Sequence, residues 1–314
     1  MSLYPISISE TNYIAKGVEA DFRVDGRDNL SFRDFSIVTG VVSQTYGSAR
    51  CRLGSLGKGT DVLVGIKAEI GNWTPGEPDN LFGKRGKIVC NVQISPISSQ
   101  FFSGRSSDDL EIELTQILAN SISLEQSSID LEQLCIIEKQ AYWILYVDAL
   151  VLGYDGNIID TLFYATRAAF SDIQLPKVVV ESVLDEETNT EHQAFEIIDD
   201  PSALRPFNDW ENIPMSVTSY IIGKRYVVDC SVQEETISTA RITVTINKNG
   251  DICSIHKGDM KTGISPSLLQ NILSISKRIG VDLVSAQSAK IENAKLSKDD
   301  SEIPDTSLTF LNLF

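Results

Sequence analysis

Histidine is nearly absent: His192 and His256 are the only two in 314 residues. A catalytic triad or an imidazole-based metal site needs that residue as base or ligand, so both chemistries are poorly supplied. Each of the two reads as a surface or satisfied polar residue. Paired cysteines are also missing. Cys51, Cys90, Cys135, Cys230 and Cys253 lie far apart without a CxxC spacing, and their odd number leaves at least one thiol unpaired within the chain. A reducing compartment fits that pattern, with Cys90, Cys135 and Cys230 as small core residues among Val and Ile. No basic stretch followed by an apolar core opens the sequence, and no apolar run reaches ~18 residues. The expectation is an intracellular, soluble protein. In that setting Asn-Leu-Ser at 29–31 and Asn-Trp-Thr at 72–74 match the glycosylation pattern by chance.

Positive charge is scarce too: 27 Lys and Arg face 43 Asp and Glu, for a net charge of -16. The average field repels polyanions, which disfavours nonspecific nucleic-acid binding by the chain alone. Screening confines each exposed charge to neighbours within ~10 Å, so a local basic face stays compatible with this balance. What is plentiful is apolar residue. At 42% hydrophobic composition the chain can build ordinary cores, either in two compact lobes or in one large domain.

Ser7 and Glu10 have capping-box spacing and predict a short opening helix. Four β-rich stretches follow, "FSIVTGVV", "SARCRLG", "TDVLVGIKAEI" and "GKIVCNVQIS", separated by Gly, Pro and Asn turns. Leu110, Leu114, Ile117 and Leu118 recur at helical spacing over 108–121 and can cover one face of that sheet. The strands "CIIEK" and "AYWILYVDALVLGY" come next, then a helix from about Asn157 with an apolar face, then "LPKVVVE" as a strand. Residues 182–212 are acidic and read as a long irregular loop joining two lobes. Sheet then helix recurs afterwards: "PMSVTSYIIG", "RYVVDCSV", "ARITVTIN" and "DICSIHKG", with a hairpin turn at Asn249-Gly250 and a closing helix over 265–280. The order argues for an α+β duplication, since several connections are too short for the crossovers of a doubly wound parallel sheet. The predicted boundaries are 1–195 for the first lobe, 196–294 for the second and 295–314 for a C-terminal tail.

"GSLGKGT" at 54–60 only superficially suggests a phosphate loop: Arg52 stands at the first glycine position, and Gly59 follows Lys58 where Ser or Thr belongs. It reads as a strand connection. In "YDGNIID", Asp155, Asn157 and Asp160 offer alternating oxygens, yet the other ligands of a calcium loop are missing. Asp155, Gly156 and Asn157 instead form a strand-to-helix turn, with Asp or Asn capping exposed N–H groups. Such a helix N-terminus can also hold phosphate.

Several segments together resemble the RNase PH family, in particular the non-catalytic ring subunits of the RNA exosome core. They are "RVDGRDNLSFRDFSI" (23–37), "TDVLVGIKAEI" (60–70), "VQISPISSQFFSGRSSDDLEIEL" (92–114), "YVDALVLGYDGNIIDTLF" (146–163) and "YVVDCSVQEETISTARITVTINKNGDICSIHKGD" (226–259). The fold this implies is α+β and RNase PH-like, two pseudo-repeated sheet-and-helix lobes, the first of the ribosomal protein S5 domain 2-like type. The resemblance also implies a six-membered ring around a channel for single-stranded RNA, homologous ring subunits, RNA-binding cap subunits and an associated exoribonuclease as partners. No membrane, cofactor or metal is implied, and the location is the nucleus and nucleolus, also the cytoplasm. In active relatives a Gly-Thr-Arg sequence after the Asp-Gly turn holds phosphate. Here Asn157-Ile158-Ile159 stands there, and two aliphatic side chains cannot donate those hydrogen bonds. An acidic residue that follows the "EE" segment in active relatives is replaced within "STAR" (238–241), so no base stands at Ala240 or Arg241. No catalytic residue is expected, and Asp155-Gly156-Asn157 reads as a degenerate phosphate turn. The alternative is an active phosphate-dependent 3′-exoribonuclease. Candidate RNA contacts are Lys84, Arg85 and Lys87, the densest basic run, and Arg105 just before the second helix. Where relatives carry arginine on that helix, Ala119 and Asn120 stand here. The cluster Arg23, Asp25 and Arg27 reads as an ion pair within the protein.

Overall fold

The computed structural model describes residues 6–54, 59–74, 83–98, 102, 105–122, 129–184, 191–198, 200, 203–260 and 263–299. The opening helix α1 (Ile8–Glu19) starts where expected, because Ser7 accepts the Glu10 amide while the Glu10 carboxylate takes the Ser7 amide. Although first in the chain, α1 buries Ile14 and Val18 with Tyr220, Ile222 and Val227 from the second half.

The first sheet runs β1 (Phe35–Thr39), β2 (Gly47–Leu53), β3 (Thr60–Asn72), β6 (Ala141–Gly153), β4 (Lys87–Ile94), with β5 (Cys135–Ile137) also on β6. Its pairs are antiparallel except β4 with β6, which run parallel. A parallel pair needs a long connection, and α2 (Arg105–Ile122) lies in it. Alternation along β3 and β6 sends Val62, Val64, Ile66, Leu145, Val147 and Val151 into the core.

The second sheet has the order β12 (Arg225–Val228), β11 (Met215–Ile222), β13 (Ala240–Ile246), β14 (Ile252–Met260), antiparallel throughout. The β13–β14 hairpin turns at the expected place, with Gly250 at φ +81°. Between the sheets lies α3 (Ile158–Ser171), packed on β2 and β3 on one side and on β11 on the other. The expected single apolar face is corrected here. All 14 residues of α3 are buried, because a second sheet covers what would have been its wet side. Leu162, Phe163, Tyr164 and Phe170 are fully inaccessible, each worth roughly 1.5–3 kcal/mol of burial for side chains of this size. The polar residues of this helix are then obliged to find partners. Arg167 donates to Gln287 (3.3 Å) and Ser288 (3.1 Å) of α5 (Pro266–Asp299) and lies 5.0 Å from the Trp210 ring.

Four further expectations need correction. The loop over 182–212 contains an antiparallel hairpin, β8 (Lys177–Leu184) with β9 (Glu191–Ile198), beyond a short pair of β7 (Gln174–Leu175) with β10 (Arg205–Pro206). Acidic side chains are tolerated on β9 because described residues of this strand face solvent. A short helix α4 (Val232–Ile237) follows β12 where the strand was expected to continue. The closing helix runs to Asp299, so it includes the first five residues of the expected tail; 300–314 lie outside the described residues. Cys135 is only half-buried, whereas Cys90 and Cys230 are in the core. The segment 54–60 joins β2 to β3 as expected, with 55–58 outside the described residues. Among the described residues no helix is long and apolar enough to cross a membrane.

Candidate functional site at the lobe junction

Asp155-Gly156-Asn157 is the turn from β6 into α3, and it abuts the second sheet. Gly156 has φ +84°, and a Cβ there would stand 2.3 Å from the Cys230 carbonyl oxygen, so conformation and space both demand glycine. Thr60 ties the turn from β3: its hydroxyl accepts the Asp155 amide (3.0 Å) and donates to the Gly156 carbonyl (2.5 Å). Arg33 donates to the carbonyls of Asp155 (2.9 Å) and Gly156 (3.2 Å).

Asn157 occupies the N-cap position of α3, but its side chain does not cap, contrary to the sequence reading. Its left-handed backbone, φ 58°, sends the carboxamide elsewhere: Nδ2 donates to Asp160 (3.0 Å) and Asp229 (2.8 Å). The N–H of Asn157 is capped instead from the other lobe, by Glu235 Oε1 of α4 at 2.8 Å. Glu235 also accepts the hydroxyls of Tyr154 (2.5 Å) and Tyr220. A carboxylate at a helix N-terminus is favourably placed, and this one is supplied by the protein itself. Ile158 and Ile159 behind it are buried, 6% and 2% exposed, and give the site no donor side chain.

Two further carboxylates meet the same asparagine and are treated oppositely. Burial pushes Asp229 up, but the Arg33 fork (2.8 and 3.0 Å) and Arg27 (2.8 Å) outweigh it and hold the carboxyl below the usual range. Among the described residues no cation is paired with Asp160. Ser216, Thr218 and Asn157 donate to it, yet complete burial prevails and pushes it up to about 6. A third acid, Glu234, lies buried against Arg23, with bonds of 2.5 and 2.9 Å, and returns to the Ser231 amide at 2.9 Å. The cluster Arg23, Asp25 and Arg27 is thus an ion-pair system within the protein, as expected, but it reaches further than its own turn: Arg27 holds Asp25 and Asp229 together.

Sequence reasoning brought Asp155, Gly156 and Asn157 to this place and missed Glu235, Asp229, Arg33, Tyr154 and Tyr220. Ser231 and Glu234 carry capping-box spacing, which was the available signal for α4. Ala240 is buried at the start of β13, and Arg241 beside it forms an ion pair with Glu113 of α2. Of the four RNA-contact candidates, Lys84 has an ion pair away from the turn. Lys84 is half-exposed and bridges to Glu138 (3.1 Å); Arg85 and Lys87 lie in or beside the same loop before β4. Arg105 begins α2, and its side chain lies outside the described residues.

Set beside known proteins, residues 31–176 match the 3′ exoribonuclease family, domain 1, and residues 212–279 match domain 2 of the same family. The chain belongs to the RNase PH family. Its relatives there include Rrp42-type exosome components. The "Putative exosome complex exonuclease RRP42" of Dictyostelium discoideum is 32% identical over 89% of this chain and 95% of its own length. The "Exosome complex component Rrp42" of Methanothermobacter thermautotrophicus is 35% identical over 75% and 79%. Two solved structures share the architecture: an archaeal exosome core, with TM-score 0.67 and 26% identity over 89% of this chain and 96% of that one, and an Archaeoglobus fulgidus exosome with RNA bound to the active site, with TM-score 0.69 and 27% identity over 88% and 97%. For an RNase PH-family chain the expected α+β architecture is therefore the one present, two sheets with the buried helix between them.

Proposed function

We propose that this Rrp42-type protein is a catalytically inert ring subunit of an exosome core, acting by shape. It completes a channel for single-stranded RNA and carries a platform for RNA-binding cap subunits and an associated exoribonuclease. One observation carries the proposal: the amide at the α3 N-terminus is already bound by Glu235, with Asp229 and Asp160 held against the same asparagine. An incoming orthophosphate would meet carboxylates in place of donors, and burial strengthens that repulsion. Asp155-Gly156-Asn157 is then a phosphate turn whose chemistry has been replaced by lobe-to-lobe bonding.

In the ring, homologous neighbours supply the positive charge that a chain of net charge -16 lacks. The proposed RNA contacts are Lys84, Arg85, Lys87 and Arg105, and the proposed location is the nucleus and nucleolus, also the cytoplasm. The purified chain, alone and reconstituted with its homologous partners, is given 3′-ended RNA and phosphate. Inertness predicts that any nucleoside diphosphate released is unaffected by Asp155→Asn in this subunit. Release abolished by that substitution overturns the reading and favours the active exoribonuclease. Native mass measurement checks the ring: one type of copy within a mixed assembly is expected, and a stable homohexamer contradicts it. Crosslinking of RNA to 84–105 in the assembled ring checks the contacts.

A further inference from the structure

Away from the lobe junction, a cleft of about 540 Å³ opens between β5 and the β8–β9 hairpin, lined by residues that include Cys135, Trp143, Val178, Val180 and Leu204. It shares no residue with the turn or its partners. The apolar surface continues past the cleft along the hairpin. Val178 stands opposite Ile197 and Val180 opposite Phe195, and directly paired residues share one face. Val180, Phe195, Ile197 and Leu204 are 43%, 37%, 44% and 36% exposed. Among the described residues β8 and β9 pair only with each other, and a lone two-stranded hairpin has little stability until one face is covered. Contiguous apolar surface of this kind on a soluble protein marks an interaction site more often than scattered single residues do.

One end of the cleft adds a charge preference. Asp130, Glu132 and Asp209 flank the lining residues Gln133 and Asn208. Asp209 accepts from the Asp130 amide (2.8 Å) and Asn212, and Asp130 accepts from the Glu132 amide (2.9 Å). Among the described residues no cation is bridged to any of the three. Arg205 is the basic residue of the lining, on the β10 side.

We propose that this cleft docks a linear segment of another protein that presents roughly two or three large apolar side chains next to lysines or arginines. The volume and the exposed Val180 and Leu204 side chains take the anchors, and the three acids take the flanking cations. This docking is independent of the ring reading, so either can fail without the other.

Cys135 makes the idea testable, since it lines the cleft half-exposed while Cys51, Cys90 and Cys230 are buried. In the full chain carrying Cys253→Ser, maleimide modification of Cys135 is followed with a synthetic peptide of roughly a dozen residues, with leucine anchors and lysine flanks. Saturating peptide should slow modification about tenfold, and added salt should weaken the effect. A peptide with glutamate flanks, and another with alanine in place of leucine, should not protect. Val180→Glu and Phe195→Ser, both at exposed side chains, should abolish protection while leaving thermal melting unchanged. No slowing, equal slowing by either control peptide, or persistence in both variants overturns the proposal. So does modification already slow without peptide and dependent on protein concentration, which would assign the cleft to a second copy of this chain.

Discussion

The lobe junction and the β5–β8 cleft are opposite kinds of surface. At the junction the groups around the turn are bonded to one another inside the protein: an amide on Glu235, the Asn157 Nδ2 on two aspartates, guanidiniums on Asp229 and Glu234. At the cleft Val180, Phe195, Ile197 and Leu204 are open, and the nearby Asp130 and Asp209 accept from amides with no cation bridged to them among the described residues. The place whose sequence most resembles a ligand site is the closed one. A loop-to-helix pattern therefore speaks of a possible anion site, while the origin of the anion, solute or side chain, is decided by residues some 80 positions away.

Substitutions can break this contrast at graded cost. The largest effect belongs to Arg23→Ala, which leaves the buried Glu234 without its cation; about 3–5 kcal/mol of stability should be lost in urea denaturation. A loss under about 1 kcal/mol would mean that the junction is wetter than described. Next comes Glu235→Gln, which keeps an acceptor for the Asn157 amide but gives up the charge and one hydroxyl acceptor. A loss of about 1–3 kcal/mol is expected by the same measurement.

Asp160 sharpens the comparison through pH. Its unfolded carboxyl titrates near ~3.9 and its folded one at about 6, so the native chain holds the proton more tightly between them. Stability contributed by this group should fall as pH rises from about 4 to about 6, by an amount on the order of 1–3 kcal/mol. Asp160→Asn removes that slope, and the gap between wild type and variant in urea melts at either end of the window measures it. Asp229 acts in the opposite sense: held low, it stabilises above its unfolded pKa and loses that contribution as pH falls through its folded one. The smallest effect is Lys84→Ala. Its partner Glu138 is 63% exposed, and thermal melting should move by no more than the equivalent of about 0.5 kcal/mol.

Much of this architecture was legible in the sequence where local rules decide. Ser7 with Glu10 set the first helix, alternating Val and Ile set β3 and β6, and Gly250 set the last hairpin. What escaped was decided by distant residues. The strand reading of "RYVVDCSV" followed its apolar residues past Val228, although Ser231 and Glu234 start α4 and Arg23 holds that acid from 211 positions earlier. Asn157 was correctly placed at a helix start, yet its backbone and the approach of Glu235 gave the cap to another lobe. The acids of β9 concealed an alternation that only its pairing with β8 exposes.

Arg167 has a consequence for how the chain matures. Its guanidinium sits in the centre of α3 and finds Gln287, Ser288 and the Glu211 carbonyl, all supplied by polypeptide made later. On the ribosome the first sheet can gather as soon as β6 emerges, but the cation of its central helix lacks its two α5 side-chain partners until some 120 further residues have been synthesised. A nascent chain halted before α5 should thus be a client for chaperones, and the order of translation becomes part of what makes the finished molecule.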